Sequence, residues 1–310
     1  MYTPSVMLSH PSFACMKQTT ILVSGAAGQS GSLIVQALAA QQQPVRALVR
    51  DMVKKEKLAG LEGVEIVVSD MMVKGSSTHA LEGIERAILI SSADDRMVET
   101  QCNFIDACKT AGVRHLIKFS GEESQQGYDP QRFRFTREHE QIEDYLERSG
   151  LQWTHLRPSQ FMQVYLREAT EIRRTGALRL PLKYIRMSPV DLRDVAKIAA
   201  SLLIEGGHDG EALRITGPEA LSMSDIAGII GRVTGSNVNY LPVSWEERAS
   251  VLSAAGLPAY FIDALKEQAA ERVRNPEPIV DNSTHELFGI IPTRFEQFAM
   301  QHAKVFSDHA

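Results

Sequence analysis

Seven consecutive residues carry the sharpest chemical signal in the chain: Gly25-Ala26-Ala27-Gly28-Gln29-Ser30-Gly31. They follow a β-rich run, Thr19 to Ser24, and open a segment, Gln29 to Ala40, with apolar residues at helical spacing: Leu33, Ile34, Ala37 and Leu38. A glycine turn between a strand and a helix suits the diphosphate of a dinucleotide. Gly25 permits the tight turn, Gly28 lets the backbone approach a pyrophosphate, and Gly31 lets the helix pack closely on the sheet. The free N–H groups at the helix start, at the positive end of its dipole, attract the phosphate charge.

Which dinucleotide binds is set at the end of the next strand, where an acidic residue about 20 positions past the last glycine would hold a ribose 2′-hydroxyl. Here Val45-Arg46-Ala47-Leu48-Val49 runs into Arg50 and then Asp51. With the strand ending at Val49, Arg50 is first into the loop and can fork onto a 2′-phosphate, helped by Lys54 and Lys55. The sequence therefore favours NADP(H), with NAD(H) held by Asp51 as the alternative.

Candidates for proton chemistry are fewer. Tyr-x-x-x-Lys, the pair that protonates a carbonyl in many dehydrogenases, does not occur; Tyr128 is followed at that spacing by Arg132, and Tyr145 by Ser149. His139 is the best proton donor by type, since an unperturbed imidazole titrates near pH 6.5. It also fits a solvated helix face, Arg137-Glu138-His139-Glu140, and Glu143 four residues on could orient it or form a surface pair. An acceptor that spreads negative charge, such as a quinone, or a cationic dye needs no protein acid. Cys102 and Cys108 lack Cys-x-x-Cys spacing, and neither His-Glu-x-x-His nor Gly-x-Ser-x-Gly is present, so metal, redox-pair and hydrolase readings find no support. Phe161, Met162, Tyr165, Trp245 and Phe261 could line an apolar cleft or serve as ordinary core.

These residues need a scaffold, and the pattern predicts one. Short apolar runs at Thr19 to Ser24, Pro44 to Val49, Val64 to Val68, Arg86 to Ile90, His115 to Phe119 and Gln152 to Leu156 read as strands. Helical spacing over Gln29 to Ala40, Met97 to Ala111 (closed by Gly112) and Arg132 to Arg148 separates them, with a short helix-like piece at Ser76 to Leu81. Such alternation predicts a doubly wound parallel sheet, a Rossmann-type α/β fold, over residues 17–176. Beyond Gly176 helices are expected at Ser188 to Ile204, Ser222 to Thr234, Trp245 to Ala255, Ala259 to Val273 and Thr293 to Lys304, with strands at Ala212 to Ile215 and Val238 to Leu241. Residues 177–310 are thus expected to form mainly a smaller α+β cap for substrate, with the helix over 188–204 packing on the first domain. Residues 1–16 read as an irregular tail, with Met16 a candidate start.

Composition excludes other classes. The 310 residues are 44% hydrophobic and 23% charged with net charge −5, which fits a globular protein and gives no footprint for nucleic acid. No run approaches the roughly 20 apolar residues of a membrane span. Three cysteines, with no secretory pattern in the first residues, point to a reducing cytoplasm.

Several motifs in order, ILVSGAAGQSG, VRALVRD, Ser69-Asp70, ALEGIERAILISS, AGVRHLIKFSG and SGLQWTHLRPSQFM, resemble the NmrA-like branch of the atypical short-chain dehydrogenases. The likeness covers most of residues 19–235 and continues through VNYLPVSWEERASVLSAAGLP, which is similar to the carboxy-terminal region of quinone and triphenylmethane dye reductases of that family. The spacing Gly-x-x-Gly-x-x-Gly is typical of that branch. The resemblance implies that Gly25, Gly28, Gln29, Ser30 and Gly31 contact the diphosphate and that Arg50 reads the 2′-phosphate. It implies that Asp70 and Met71 flank the adenine, and that Ser91 and Ser92 sit beside the nicotinamide ribose. Ser120 and Gly121 would border the nicotinamide, with Pro158, Ser159 and Phe161 closing over it. In isoflavone-reductase-like relatives a lysine stands where this chain has His139, which makes His139, with Ser120, the candidate catalytic group. The family implies an NADPH-dependent reductase of an apolar, aromatic or conjugated small molecule, acting as monomer or homodimer. It also contains non-enzymatic NADP(H)-binding regulators that bind a partner protein, a reading that the missing tyrosine and lysine favour. A sugar-nucleotide epimerase would need both of those residues.

Overall fold

The computed structural model describes residues 20–51, 58–122 and 127–307. The expectations for residues 1–16 and for Lys54 and Lys55 lie outside the described residues. Six strands form in sequence: β1 (Thr20–Val23), β2 (Val45–Val49), β3 (Val64–Val68), β4 (Ile84–Leu89), β5 (His115–Phe119) and β6 (Gln152–Pro158). The chain then leaves the sheet for β7 (Ala177–Leu180) and β8 (Arg186–Met187) before returning as β9 (Glu211–Ile215). The central sheet is parallel throughout, in the order β3-β2-β1-β4-β5-β6-β9. Strand order reverses at β1, so the crevice for a ligand opens beyond the carboxyl ends of β1 and β4.

Both faces are covered, which is why the strands carry unbroken apolar runs. One face packs α1 (Gln29–Ala40) and, from later in the chain, α5 (Leu192–Glu205) around Ile34, Leu38, Val195 and Ile198. The other packs α2 (Met97–Ala111) and α3 (Arg134–Glu147) around Phe104, Ile105, Ile142 and Leu146. α2 stops where Gly112 adopts the left-handed conformation. α3 is the most strongly amphipathic of these and buries Thr136, Ile142, Glu143 and Leu146.

The remainder forms a second core around Ile172, Leu178, Met223, Ile226, Ile230, Phe295 and Phe298. The remaining α-helices among the described residues are α4 (Ala169–Thr175), α6 (Met223–Thr234), α7 (Trp245–Ala254), α8 (Ala259–Arg274), α9 (Ser283–Leu287), α10 (Phe295–Gln301) and α11 (Ala303–Phe306), of which α9 packs on β9 of the main sheet. Two small sheets join the second core: β7 with β11 (Asn239–Pro242), parallel, and β8 with β10 (Leu221–Ser222), antiparallel. The expected cap at Ser222 is a full capping box with Asp225, and Gly235 ends α6 in the left-handed region.

Several expectations need correction. Ala212 to Ile215 is not a cap strand: β9 is the seventh strand of the main sheet, hydrogen-bonded along β6. α5 starts at Leu192 rather than Ser188, because the residue before Pro189 is driven out of helical geometry and the Asp191 side chain supplies the cap by accepting from the Arg193 N–H. The preceding Val190 bridges Phe161. The last helix is two, broken at His302. β7, β8 and β10 are not expected from pattern; in β8 and β10 two residues of ladder leave no periodicity to read, and β7 has only four residues.

Candidate functional site

At the switch point the chain forms a cleft of about 390 Å³. The site residues expected from sequence meet there in large part: Gly25, Gly28, Gln29, Ser30, Arg50, Asp70, Met71, Ser91 and Ser92 all line it. They arrive from the ends of four adjacent strands, β1 to β4, which is why residues up to 67 positions apart share one wall.

The glycine turn is built so that no side chain could occupy it. Gly25 has φ +57°, and a Cβ there would stand 2.8 Å from the carbonyl oxygen of Ile90. A Cβ on Gly31 would stand 2.4 Å from the Gly25 oxygen, so the first turn of α1 lies directly on the loop. Gly31 therefore acts from beneath the cleft and does not line it. Gly28 takes the position before α1 with no side-chain cap, leaving the amides of the first turn free of any side-chain competitor. Ser24 fastens the loop to β4: its hydroxyl donates to the Ile90 oxygen at 2.9 Å and accepts from the Ile90 N–H at 2.7 Å. This backbone cradle at a helix start fits a dinucleotide diphosphate.

Arg50 is the first residue beyond β2 and is exposed at the cleft wall. The Asp70 carboxylate accepts from the Met72 N–H at 3.0 Å, which fixes the turn after β3. Ser76 reinforces that turn by donating to the Asp70 carbonyl oxygen at 2.5 Å. Ser91 accepts from the Gln101 amide at 2.9 Å. The Gln101 Oε1 is buried without a hydrogen-bond partner beside it. Sequence reasoning missed Met72, Asp94, Arg96 and Thr100 in the wall. Met72, Asp94 and Arg96 sit in loops and Thr100 in the first turn of α2, with no fixed spacing to the glycines, so no pattern could have found them.

Ser120, Gly121, His139, Pro158, Ser159 and Phe161 lie outside this cleft wall, at and beyond the ends of β5 and β6. Ser120 and Gly121 are buried directly after β5, and the Ser120 N–H donates to Leu156 at 2.8 Å. Pro158 is the last residue of β6. The Ser159 hydroxyl donates to the Ser188 carbonyl at 2.5 Å, so it holds the loop. Phe161 packs on Phe119 with centroids 6.1 Å apart. Of the other aromatic candidates, Tyr165 and Met162 are core, with Tyr165 edge-on to Phe295 at 5.3 Å. Trp245 and Phe261 stay partly exposed, and Phe261 meets Phe135 of α3 at 5.9 Å.

His139 is neither a solvated surface residue nor a free imidazole. Its Nδ1 lies 2.9 Å from the ammonium of Lys118, which sequence reasoning did not single out. Burial, then the charges of Lys118 and Arg157, hold its pKa well below 6.5. The expected proton donation from an unperturbed imidazolium is therefore corrected: the ring is neutral at pH 7. Glu143 does not orient it either. The carboxylate accepts from Ser120 Oγ at 2.5 Å and from Arg157 at 2.7 Å. Burial pushes Glu143 up, but Arg157 and Lys118 outweigh it and hold the group below the usual carboxylate range. Lys118 is fully buried, and burial lowers its pKa to about 7 against the opposing pull of Glu143. Cys102 is pushed up to about 11 by burial, and no cluster among the described residues could hold a metal ion. No helix among the described residues is long and apolar enough to cross a membrane.

The sheet order, the glycine cradle and the cleft at the strand reversal define a Rossmann-type dinucleotide-binding protein. Residues 17–299 match the NmrA-like family, and the chain belongs to it. It is 30% identical over 286 residues to the NAD(P)H azoreductase of Xenophilus azovorans, spanning 92% of this chain and 99% of that protein. It is 31% identical over 296 residues to the (4-alkanoyl-5-oxo-2,5-dihydrofuran-3-yl)methyl phosphate reductase of Streptomyces griseus, spanning 93% of this chain and 99% of that protein. Its fold is similar to that of the NADPH-dependent quinone oxidoreductase of Escherichia coli, solved with NADPH, with TM-score 0.80 and 24% identity over 91% of this chain and 99% of that one.

Proposed function

We propose that this protein transfers hydride from NADPH to an apolar, aromatic or conjugated small molecule such as a quinone, an enone or a dye. The chain is an NAD(P)H-dependent oxidoreductase: it aligns with two reductases over nearly their whole length. The observation that carries the cofactor choice is Arg50, exposed at the wall of the cleft that the glycine cradle opens. In this reading Gly25, Gly28, Gln29 and Ser30 hold the diphosphate and Arg50 forks onto the 2′-phosphate. Asp70 and Met71 take the adenine, and Ser91 and Ser92 the nicotinamide ribose. Bound NADPH supplies the hydride. Ser120, Gly121, Pro158, Ser159 and Phe161 then form the wall around the reacting ring, and the aromatic pair Phe119–Phe161 keeps that wall apolar. Residues 17–176 with α5 would carry the cofactor, and the second core, mainly residues 177–310, would shape the acceptor pocket.

The test is NADPH oxidation by the purified protein against quinones, enones, aldehydes and cationic dyes, with cofactor binding measured in the same preparation. Acceptor-dependent oxidation is expected. Firm NADPH binding with every acceptor untouched would overturn the reductase and leave a cofactor-sensing regulator.

A further inference from the structure

A lysine sealed in the protein interior costs stability unless its charge is used or compensated. Lys118 lies at the carboxyl end of β5 with no exposed surface. Its ammonium donates to Ser120 Oγ at 3.1 Å and to His139 Nδ1 at 2.9 Å. An ammonium has only donors, so Nδ1 accepts and the hydrogen of the neutral ring is on Nε2. Ser120 cannot pass the proton on, because its own hydrogen is given to Glu143 at 2.5 Å. His139 is half-buried as a residue where Lys118 and Ser120 are buried, so it is the member of the Lys118–Ser120–His139 set with exposed surface beside the buried cation.

We propose that Lys118 supplies the proton that accompanies hydride transfer, passing it to the acceptor through the ring of His139. The inference rests on the reductase reading and adds to it the source of the proton. The balance is simple. Hydride brings two electrons and one hydrogen to a quinone and leaves an oxyanion. The oxyanion takes the Nε2 hydrogen of His139. Nδ1 takes a hydrogen from the Lys118 ammonium, which becomes a neutral amine, and the ring stays neutral. After the product leaves, water protonates Nε2 and the Nδ1 hydrogen returns to Lys118. His139 is then the catalytic residue, and Lys118 acts through it.

The groups facing Lys118 are Glu143 and His139 from α3, Arg157 and His155 from β6, Cys102 from α2, and Ser120 just beyond its own strand. His155 is held neutral, with burial taking its pKa down to about 3, and Cys102 remains a thiol. Lys118 is therefore the group of this set that changes charge near neutrality.

A cationic triphenylmethane dye becomes neutral on accepting hydride and needs no proton; a naphthoquinone needs one. The experiment compares kcat for the two in the wild type, Lys118→Met and His139→Gln at saturating NADPH. The quinone-to-dye ratio of kcat should fall about 10²-fold in each variant. In the wild type, quinone turnover should fall as pH rises through about 7, where Lys118 loses its proton, and dye turnover should not follow it. An unchanged ratio, or the same pH profile for both acceptors, overturns the relay. Should Lys118→Met fail to fold, His139→Gln and the wild-type profiles decide. Nitrogen-15 NMR of His139 in the NADPH-bound wild type at pH 6, where Lys118 keeps its proton, decides without turnover: a neutral Nε2–H ring supports the relay, and an Nδ1–H ring or an imidazolium overturns it. Failure of every acceptor to be reduced would overturn the reductase reading, while the NMR result would still judge the Lys118–His139 pair.

Discussion

Replacing Arg50 with glutamine separates the two dinucleotides at a single position. Loss of one charge-assisted hydrogen bond should weaken NADPH binding about ten- to 150-fold and leave NADH within about twofold; titration by cofactor fluorescence checks it. Equal losses for both would move Arg50 away from the 2′-phosphate. Glu143→Gln bears on stability. It leaves the Arg157 guanidinium, only 10% exposed, without its buried anion, a loss of about 3–5 kcal/mol in urea denaturation. Because Glu143 is held below the usual carboxylate range, its contribution is complete above pH about 4.3 and disappears as pH falls through its lower folded value. The variant should therefore lose stability less steeply with acid than the wild type does. Legibility differed sharply between such residues. Arg50 stood out because strand ends are easy to place. Lys118 did not, because in His-Leu-Ile-Lys-Phe nothing shows that His139, 21 residues on, will fold against it.

Among elements, α8 joins the second core to the first domain. Glu267 pairs with Arg134 at 2.6 Å, Arg134 lies 4.6 Å over the ring of Tyr260, and Glu271 accepts from the Asp129 N–H at 3.1 Å. All three contacts meet α3 or the turn before it, the helix that carries His139. Glu267→Ala removes a partly buried bidentate pair of about 1 kcal/mol, so amide exchange in α8 should quicken about fivefold with α1 unchanged. The acceptor KM should rise more than the NADPH KM. Sequence showed the helices themselves well: α2 and β5 have the expected bounds, and the capping box at Ser222 was legible in four residues. It could not show which helices touch, since α3 and α8 are joined through a charge pair, Arg134–Glu267, 133 positions apart.

For the whole molecule, cofactor binding and folding are linked. The cleft needs β1 to β4 in register, so NADPH present at about 100 times its Kd should stabilise the protein by about 2.7 kcal/mol, read as a raised Tm. NADH at the same concentration should raise it less. The alternation of short apolar runs disclosed the parallel sheet, but not its last strand. β9 looks like any four-residue cap strand in sequence, and only its pairing with β6 decides where it belongs. The same holds for α5, whose apolar stripe covers the α1 side of the sheet.

That late return of the chain has a consequence for how such proteins can be recombined. In the proposed reading the acceptor is shaped by segments around β7 and β8, which lie between β6 and α5, and by α6 to α8, which follow β9. A cut after Gly176 would strip α5 from one face and leave β6 as a bare edge. A new acceptor range therefore cannot be grafted as a single tail. It must be exchanged as two separate inserts, one between β6 and α5 and one beyond β9, and chimeras that respect both seams should stay soluble where single-junction fusions aggregate.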